Sequence, residues 1–529
     1  MKSNHNSSVA VDLLREMHAD IARNLGVDLS RESEKACRVV TTRGIAAYND
    51  WIASKLPQPK LDCDRQEYRN LRALALSDFC KVDGQSTDEA IKVAAFASCR
   101  QLYSVFRKFA EIECLASDEE TVQQFWKGQE EDSARVPELL RFHAPLLDRI
   151  AEKVRLLLPD DCNCSDIIPD IGPGQTWEKR DRVDRPGFFC DPRFAFRGGA
   201  MEHDVPGNRS CCVPKDYRRP RLIFIEPSSR MLIQKGLMAW MVECSNRYPL
   251  LRSLVSFTDQ DVQRQKLRQV GVATIDLSDA SDRVNRLLVW RCFRHRPVLR
   301  ALLFRARSKT CDSKTFTCFS TMGNATTFTT MTILLAAVVL VAYEEVERLL
   351  PRGSHLAKAG VFGDDILVDE RAYGDVVGIL GRIGLIVNTS KSFCSSPFVE
   401  SCGLDLYLGR DVTPLKIKGL NGVGHEAWSK MLSYANTLFH TGYWRAGDVL
   451  VSEILSRWPK TSLGPYGDPD CLWSCVSKDV DGPWNKDYQR FTAWTPKKSV
   501  DGVVLKDDDP NLDYYLAHGR RVSTVVSDY

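Results

Sequence analysis

Hydrophobic residues recur at helical spacing near both ends of the chain. In the first 155 residues they fall three or four positions apart, as in Leu14, Met17 and Ile21, which is the period of a helix with one buried face. The same spacing returns from His425 to Trp458. Both stretches predict helical regions, and the chain beyond the second one is rich in Pro, Gly, Asp and Trp.

The middle of the chain has a different pattern. Between Val272 and Val412, short runs of β-forming apolar residues alternate with helical stretches, and each run ends in small or acidic residues, which is typical of a mixed α/β core. The most apolar run, from Met331 to Tyr343, has 13 residues. A membrane-spanning helix needs about 20, so this run predicts a buried helix.

Composition then narrows the class of protein. The chain has 529 residues, of which 43% are hydrophobic and 27% are charged, which excludes a disordered or fibrous protein and leaves room for about three or four domains. The pattern changes predict four regions: residues 1–155 (helical), 156–265 (loop-rich and basic), 266–420 (the mixed core) and 421–529 (a C-terminal unit).

The net charge and the cysteine content exclude fewer classes of protein. The net charge of +3 does not by itself indicate a nucleic-acid-binding protein, so only local basic patches can. The first 20 residues contain no apolar run behind a basic start, so secretion is not predicted, and the 18 cysteines are interpreted as reduced thiols. Structural zinc stays open as the alternative, although three close cysteine pairs lack the Cys-x-x-Cys spacing: Cys162 with Cys164, Cys211 with Cys212, and Cys471 with Cys475.

Carboxylates follow two of the predicted strands. Asp364 and Asp365 follow Gly363 between two β-forming runs, which predicts a hairpin with the acids at its tip. Asp276 ends another such run, and Asp282 follows six positions later. An ordinary surface turn explains Asp364 and Asp365 taken alone, whereas carboxylates from two strands can together hold two Mg²⁺ ions for phosphoryl transfer. The pair of sites therefore predicts polymerase or nuclease chemistry.

Other segments supply partners for phosphate and sugar. Lys215, Arg219 and Arg221 lie in a basic run before a predicted strand and suit phosphate oxygens, although a solvated basic loop remains the alternative. In the run from Ser320 to Asn324 the small residues allow close approach of a substrate, and Asn324 with Asp282 suits a ribose hydroxyl, although Asn324 also suits a helix N-cap. A second basic and aromatic group could stack on single-stranded bases or form a satellite core: Lys179, Arg180, Arg182, Arg185, Trp177, Phe188, Phe189, Phe194 and Phe196.

The order of these motifs resembles RNA-directed RNA polymerases, and most closely the catalytic (beta) subunits of the replicases of single-stranded RNA bacteriophages. Phe362 stands where that family usually has tyrosine, so the aromatic ring is kept and the hydroxyl is not. The resemblance covers about Val213 to Lys418. It is carried by six ordered phrases: TIDLSDASDR (274–283), STMGN (320–324), FGDD (362–365), NTSKSF (388–393), FVESCG (398–403) and DVTP (411–414).

The resemblance implies an α+β, right-handed fold of fingers, palm and thumb, in which the palm is an antiparallel sheet backed by helices. It implies that Asp276, Asp364 and Asp365 bind two Mg²⁺ ions, with Mn²⁺ as a substitute, and that Lys391 is a candidate general acid. It further implies a nucleotide site and a hairpin, Glu400 to Val412, that grips the end of the product strand. The implied nucleotide-binding residues are Lys215, Arg219, Arg221, Asp282, Ser320, Gly323 and Asn324.

The resemblance also implies partners and a location. These are a single-stranded RNA template and its product, ribonucleoside triphosphates, the host elongation factors Tu and Ts, and an OB-fold ribosomal protein, without a membrane, in the cytoplasm of an infected bacterium. A reverse transcriptase and a non-catalytic RNA-binding protein remain alternatives. Reverse transcriptases block the ribose 2′-hydroxyl with an aromatic residue near the first motif, where this chain has only small or polar residues from Ser278 to Asp282. The C-terminal aromatics Trp484, Trp494, Tyr514 and Tyr515 are candidates for stacking on an initiating nucleotide.

Overall fold

The computed structural model describes residues 2–56, 85–110, 114–168, 175–177, 207–347, 356–422, 424–474, 484–487 and 490–491. The second basic and aromatic group, apart from Trp177, lies outside these residues, as do Cys475, Trp494, Tyr514 and Tyr515. The helices are α1 (Lys2–Leu25), α2 (Ser30–Lys55), α3 (Gln85–Ser104), α4 (Asp118–Phe142), α5 (Ala144–Leu157), α6 (Ser228–Arg247), α7 (Pro249–Leu254), α8 (Gln260–Leu267), α9 (Ala280–Arg283), α10 (Arg286–Cys292), α11 (Pro297–Ala306), α12 (Thr327–Glu347), α13 (Tyr373–Arg382), α14 (His425–His440) and α15 (Trp444–Arg457).

The strands are short, and most pair with their neighbours along the chain. They are β1 (Arg209–Val213), β2 (Arg221–Ile225), β3 (Val272–Ile275), β4 (Thr310–Cys311), β5 (Lys314–Thr315), β6 (Gly360–Phe362), β7 (Asp365–Asp369), β8 (Phe398–Ser401), β9 (Leu404–Tyr407), β10 (Arg410–Asp411), β11 (Leu463–Pro465), β12 (Leu472–Ser474), β13 (Trp484–Asn485) and β14 (Arg490–Phe491).

A three-stranded antiparallel sheet in the order β3-β7-β6 occupies the centre of the molecule. Its register pairs Ile275 with Ile366 and Phe362 with Asp365. All four residues of β3 are buried, three of them apolar, and apolar residues fill the inner positions of β7, because helices cover this sheet. The predicted strand before Asp276 and the predicted hairpin around Gly363 are both confirmed.

Helix α12 packs against this sheet. By length and composition, its window Thr327–Glu344 is apolar enough to cross a membrane, with a mean hydropathy of 1.7, but 89% of that window is buried inside the protein. The predicted run Met331–Tyr343 is therefore a core helix, as expected, and it extends beyond both ends of that run. The hydroxyls of two of its buried threonines donate to backbone carbonyls one turn earlier: Thr329 Oγ1 to Thr326 O at 3.2 Å and Thr332 Oγ1 to Phe328 O at 2.7 Å.

The buried apolar residues divide into two large cores. The first, here called the sheet core, joins β3, β6 and β7 to α5, α6, α12 and α13. The second, here called the terminal core, joins α1, α2 and the end of α3 to α14 and α15. The N-terminal helices thus serve two different cores, since α1 to α3 pack with the C-terminal helices while α5 packs with the sheet. The four-region division stays a prediction.

The α+β fold class with an antiparallel sheet backed by helices is confirmed. The cysteines within the described residues are free thiols. No group of three or more His, Cys, Asp or Glu side chains in that part of the chain is arranged to hold a metal ion, so nothing there supports structural zinc.

Candidate active site at the end of the central sheet

Three aspartates meet at one end of the central sheet. Asp276 directly follows β3, and Asp365 is the first residue of the neighbouring strand β7. The pairing of Ile275 with Ile366 places the two acids side by side at the strand ends. Asp364 lies in the two-residue turn between β6 and β7. The sheet therefore brings together carboxylates that are far apart in the sequence.

The turn before Asp364 is held against helix α12. Gly363 has a φ of +65°, and a Cβ there would lie 2.6 Å from Cε2 of Phe328, so both the backbone conformation and the available space require glycine. The Gly363 N–H donates to Thr332 Oγ1 at 3.1 Å. Phe362 packs edge-on against Phe328 with the ring centroids 5.0 Å apart, which is a role for its ring that needs no hydroxyl.

Asp276 contacts three side chains of the segment that follows the hairpin. Its Oδ2 accepts a hydrogen bond from Asn388 Nδ2 at 3.0 Å and lies 3.7 Å from Lys391 Nζ. Its backbone N–H donates to Ser392 Oγ at 3.1 Å. Burial raises the pKa of the Asp276 carboxyl, Lys391 opposes that rise, and the charge of Asp364 adds to it. The segment after the hairpin thus orients Asp276 and brings Lys391 to it.

Asp365 is turned toward the hairpin formed by β8 and β9. Its Oδ2 accepts from the Cys402 N–H at 3.2 Å and from Cys402 Sγ at 3.5 Å. Burial, together with the charges of Asp364 and Asp276, raises the pKa of Asp365 to about 7. The β8-β9-β10 sheet contains the predicted hairpin from Glu400 to Val412, and its turn therefore contacts the acidic site directly.

The basic loop between β1 and β2 faces the same acids. The pKa of Lys215 is lowered by burial and by the charges of Arg221 and Lys391, while Asp364 acts in the opposite direction. Arg221 begins β2 opposite Val213. The side chains of Arg219 and Arg221 are exposed on this hairpin. The predicted strand after the basic run is confirmed, and Lys215 lies within electrostatic reach of both Asp364 and Lys391.

Strand β2 also holds the loop that precedes α12. The Phe224 N–H donates to Met322 O at 2.7 Å. Gly323 has a φ of +116°, and a Cβ there would lie 2.1 Å from the carbonyl oxygen of Phe224. Ser320 is buried, and its Oγ accepts from Thr327 Oγ1 at 2.8 Å. The structure thus places the basic hairpin and the Ser320 to Asn324 loop in direct contact.

The amide of Asn324 is already engaged by protein groups. Its Oδ1 accepts from the N–H and the hydroxyl of Thr326, each at 2.8 Å, and its Nδ2 donates to Glu226 Oε1 at 3.3 Å. These bonds at the start of α12 match the capping alternative. The predicted contact between Asn324 and ribose stays a prediction, and the buried carboxylate of Glu226 orients the amide for it.

Asp282 lies on the short helix α9 that follows the β3 site. Its Oδ1 accepts from Ser281 Oγ at 3.2 Å. Burial and the charge of Asp279 raise the pKa of Asp282 to about 7, whereas Lys215 opposes that rise. Gln129 of α4 fixes the backbone here, since its Nε2 donates to Asp282 O at 2.8 Å and its Oε1 accepts the N–H groups of Thr317 and Cys318.

The donor set suits a hard divalent cation. Burial raises the pKa values of Asp276 and Asp365, and the charges of neighbouring aspartates add to the rise; a cation would relieve that repulsion. The aspartates do not form a closed cluster of three ligands within the described residues. Mg²⁺ does not need one, because it usually keeps water and binds through one or two carboxylates plus substrate phosphates. The residues therefore fit Mg²⁺ bound jointly with a triphosphate.

Sequence reasoning assigned no role to several residues that shape this site. The predicted phrase Asn388 to Phe393 did contain Asn388, which contacts Asp276. Gln129 and Glu226 lie in segments where local sequence carries no signal, since their partners are distant along the chain. Cys402 lies in the phrase FVESCG (398–403), but its hydrogen bond to Asp365 forms only because the two hairpins pack together.

The sequence of this chain is similar to those of phage RNA polymerase beta chains. Residues 195–422 match the family model described as RNA replicase, beta-chain. The chain is 34% identical over 302 residues to the RNA-directed RNA polymerase beta chain of Escherichia phage MS2, covering 50% of this chain and 52% of that one. It is 32% identical over 220 residues to the subunit beta of Enterobacteria phage SP, covering 40% and 36%. The chain thus spans about half or less of the length of these relatives.

Solved structures give weaker likenesses. An RNA-dependent RNA polymerase of a human picorbirnavirus has a TM-score of 0.38 at 11% identity, covering 66% of this chain and 84% of that one. The BmCPV RNA-dependent RNA polymerase at elongation state has a TM-score of 0.43 at 11% identity, covering 80% and 42%. The resemblance to replicase beta chains accordingly rests on the sequence matches, and the segment that matches the replicase model contains the aspartates, lysines and arginines of the site but not Gln129.

Proposed function

We propose that this chain is an RNA-directed RNA polymerase, the catalytic subunit of a phage replicase that copies a single-stranded viral RNA genome from ribonucleoside triphosphates. The observation that carries the proposal is the meeting of Asp276, Asp364 and Asp365 at one sheet end, with Lys215 of the basic hairpin facing them. Nucleotidyl transfer needs carboxylates and cations in this relation, because the substrate is a triphosphate. The match of residues 195–422 to replicase beta chains supports the same reaction.

Each residue has a distinct part in the proposed mechanism. Two Mg²⁺ ions held by Asp276, Asp364 and Asp365, for which Mn²⁺ could substitute, would activate the 3′-hydroxyl and neutralise the departing pyrophosphate. Lys215 and Arg221 bind the triphosphate of the incoming nucleotide, with Arg219 beside them. Lys391 would donate a proton to the pyrophosphate oxygen, and its position 3.7 Å from Asp276 Oδ2 supports that role.

A second group of residues would select the sugar of the incoming nucleotide. Asp282 and Asn324 read the ribose 2′-hydroxyl, while Ser320 and Gly323 leave room for the nucleotide. Asn324 Nδ2 donates a hydrogen bond to Glu226 Oε1 at 3.3 Å. This bond fixes the orientation of the amide that would contact the ribose. The segment from Ser278 to Asp282 contains no aromatic residue, which favours an RNA polymerase over a reverse transcriptase.

The proposed regions and partners follow from the same assignment. Residues 1–155 would form an N-terminal helical region and part of the fingers, 156–265 the fingers, 266–420 the palm, and 421–529 the thumb and C-terminal region. The partners would be a single-stranded RNA template and its product and, by resemblance, the host elongation factors Tu and Ts with an OB-fold ribosomal protein. The place of action would be the cytoplasm of an infected bacterium.

The test is nucleotide incorporation on a single-stranded RNA template with Mg²⁺, comparing ribonucleotides, deoxyribonucleotides and the variant Asp364→Asn. We expect ribonucleotide incorporation that is lost in Asp364→Asn, whose fold is kept because the acid lies in a turn. Asp375→Asn, an exposed acid on α13, is the matched control and should retain activity.

Three other outcomes contradict the proposal. Deoxyribonucleotide incorporation indicates a reverse transcriptase. An Asp364→Asn protein that keeps half of its activity removes the acid from the reaction. If neither substrate is incorporated, even after bacterial lysate supplies host subunits, the chain is a non-catalytic RNA-binding protein.

A further inference from the structure

Three distant segments of the chain meet beside the acidic site. The carbonyl of Val105 accepts from the Ile417 N–H at 2.8 Å, and the Ala110 N–H donates to Lys418 O at 2.8 Å. On its other side the same N-terminal segment receives the basic loop, where the Tyr217 N–H donates to Arg107 O at 3.2 Å. Residues 105–110 therefore bridge the basic loop and the segment after β10.

Each of these three segments carries lysine into the bridged region. Lys108 comes from the first and Lys215 from the basic loop, while Lys416 and Lys418 come from the segment after β10. Lys108 and Lys418 are exposed, and Lys416 is half-buried. We call Lys108, Lys416 and Lys418 the lysine wall. Since backbone hydrogen bonds fix the segments that carry them, their charges stay together rather than separating in solvent.

The charges within this region repel one another. Partial desolvation lowers the pKa of Lys108, and the charges of Lys416, Lys418 and Lys215 lower it further, while Glu400 opposes them. The backbone hydrogen bonds between residues 105–110 and the segment after β10 hold Lys108 near Lys416 and Lys418. A surface that keeps several cations together in this way gains free energy when it binds a polyanion.

The lysine wall is continuous with the reaction site. The charge of Asp364 acts to raise the pKa of Lys215, against the lowering caused by burial, Arg221 and Lys391. Glu400 on β8 acts on Lys108 and also on Asp276. The turn of the β8-β9-β10 sheet contacts Asp365 through the Cys402 N–H, and the chain that leaves this sheet carries Lys416 and Lys418, so one sheet connects the lysine wall to the acidic site.

We propose that the lysine wall binds the phosphodiester backbone of the RNA strand that passes the active site, so that the N-terminal region contributes directly to RNA binding through Lys108. This proposal rests on the proposed polymerase function and extends it to a segment outside the family match. Lysine is a mobile point charge, so the contacts are with phosphates and independent of base sequence.

The experiment compares full-length Lys108→Ala/Lys418→Ala with Lys430→Ala/Lys460→Ala, a control with the same charge change at exposed positions of the C-terminal region. Fluorescence anisotropy measures Kd for a single-stranded oligoribonucleotide and for a primer–template duplex at several KCl concentrations. We expect Kd to rise by about tenfold for the test variant alone. The slope of log Kd against log salt should fall by about 1.4 on single-stranded RNA, about 0.7 for each lost phosphate contact.

The two RNAs distinguish the strand that is bound. Weakening on both assigns the lysine wall to the template strand, and weakening on the duplex alone assigns it to the paired product; either supports the proposal. Lys108→Arg/Lys418→Arg should restore affinity because it restores the charge. Matching thermal unfolding of the test and control variants ensures that both are folded.

Other results overturn the proposal. Unchanged Kd and salt slope do so directly. A raised KM for ribonucleotides with unchanged RNA affinity shows that these lysines bind the triphosphate instead. If the unmodified chain binds RNA through these lysines but adds no nucleotide even with lysate, the lysine wall stands and the polymerase proposal fails, so the two failures are distinguishable.

Discussion

The terminal core and the active end of the central sheet both bury ionisable groups, but the neighbours of these groups differ. In the terminal core, Asp20 accepts from the Ala446 N–H at 3.1 Å and pairs with Arg23 at 2.9 Å. The buried ring of His18 donates from Nδ1 to Leu14 O at 2.6 Å. At the sheet end, burial raises the pKa of Asp365, and the charges of two further carboxylates add to that rise.

This contrast separates structural from functional polar groups. Protein partners satisfy these buried groups without a ligand: Asp20 joins α1 to α15 through the Ala446 N–H, and His18 bonds within α1, although burial still shifts the pKa of each toward its neutral form. Carboxylates that repel each other leave a charge imbalance that a cation and phosphates can relieve. Substitutions in the terminal core should therefore change stability, and substitutions at the sheet end should change activity.

The largest expected effect is that of Asp276→Asn. We expect nucleotide addition to fall by about a thousandfold or more, equivalent to about 4 kcal/mol in the activation barrier, while the thermal unfolding temperature stays the same or rises because like-charge repulsion is removed. Single-turnover incorporation and calorimetry measure the two effects. If activity and stability fall equally, Asp276 stabilises the fold as a terminal-core residue does, and the distinction between the two regions is wrong.

A substitution in the terminal core should behave in the opposite way. Trp428 is buried, and its Nε1 donates to Thr461 Oγ1 at 3.0 Å. Trp428→Ala should lower the free energy of unfolding by about 3–5 kcal/mol, while activity per folded molecule at low temperature is kept. Trp428→Phe, which retains most of the apolar contact, is the control for denaturant unfolding and should lose less.

The pH dependence of stability sharpens the same distinction. Burial lowers the pKa of His18 from about 6.5 to about 4, so between these values the unfolded chain binds a proton that the folded chain does not. Stability is then fully present above pH 6.5 and falls as the pH drops toward 4, by up to about 3 kcal/mol. His18→Gln should flatten that part of the unfolding curve, and an unchanged slope would show that other groups cause it.

The smallest expected effect concerns sugar selection. Asn324→Ala should relax the preference for ribonucleotides over deoxyribonucleotides by about 1–3 kcal/mol, read as the ratio of their kcat/KM values. Glu226→Gln should keep much of this preference, since its amide oxygen can still accept from Asn324 Nδ2, whereas Glu226→Ala should not. Unchanged selectivity in Asn324→Ala would leave that residue with its capping role alone.

Local pattern was sufficient for many elements of this protein. The hairpin around Gly363, the strand before Asp276 and the strand after the basic run were all predictable, because turn residues and β-forming runs act over a few positions. The buried helix was predictable from its composition, since an apolar run must leave water. The candidate site residues could be named from the sequence because its acids and lysines lie in short ordered motifs within the segment that matches the replicase model, and their roles stay predictions.

The tertiary structure decided what depends on residues distant in the chain. It engaged Asn324 with Glu226, turned Asp365 toward Cys402 and placed Gln129 beneath Asp282. It also divided the N-terminal helices between two cores and brought Lys108 beside the segment after β10. Sequence by itself determined which chemical groups are available and the local turns and strands that present them. Their pairing required the packed chain, because hydrogen bonds and charges act through space and not along the sequence.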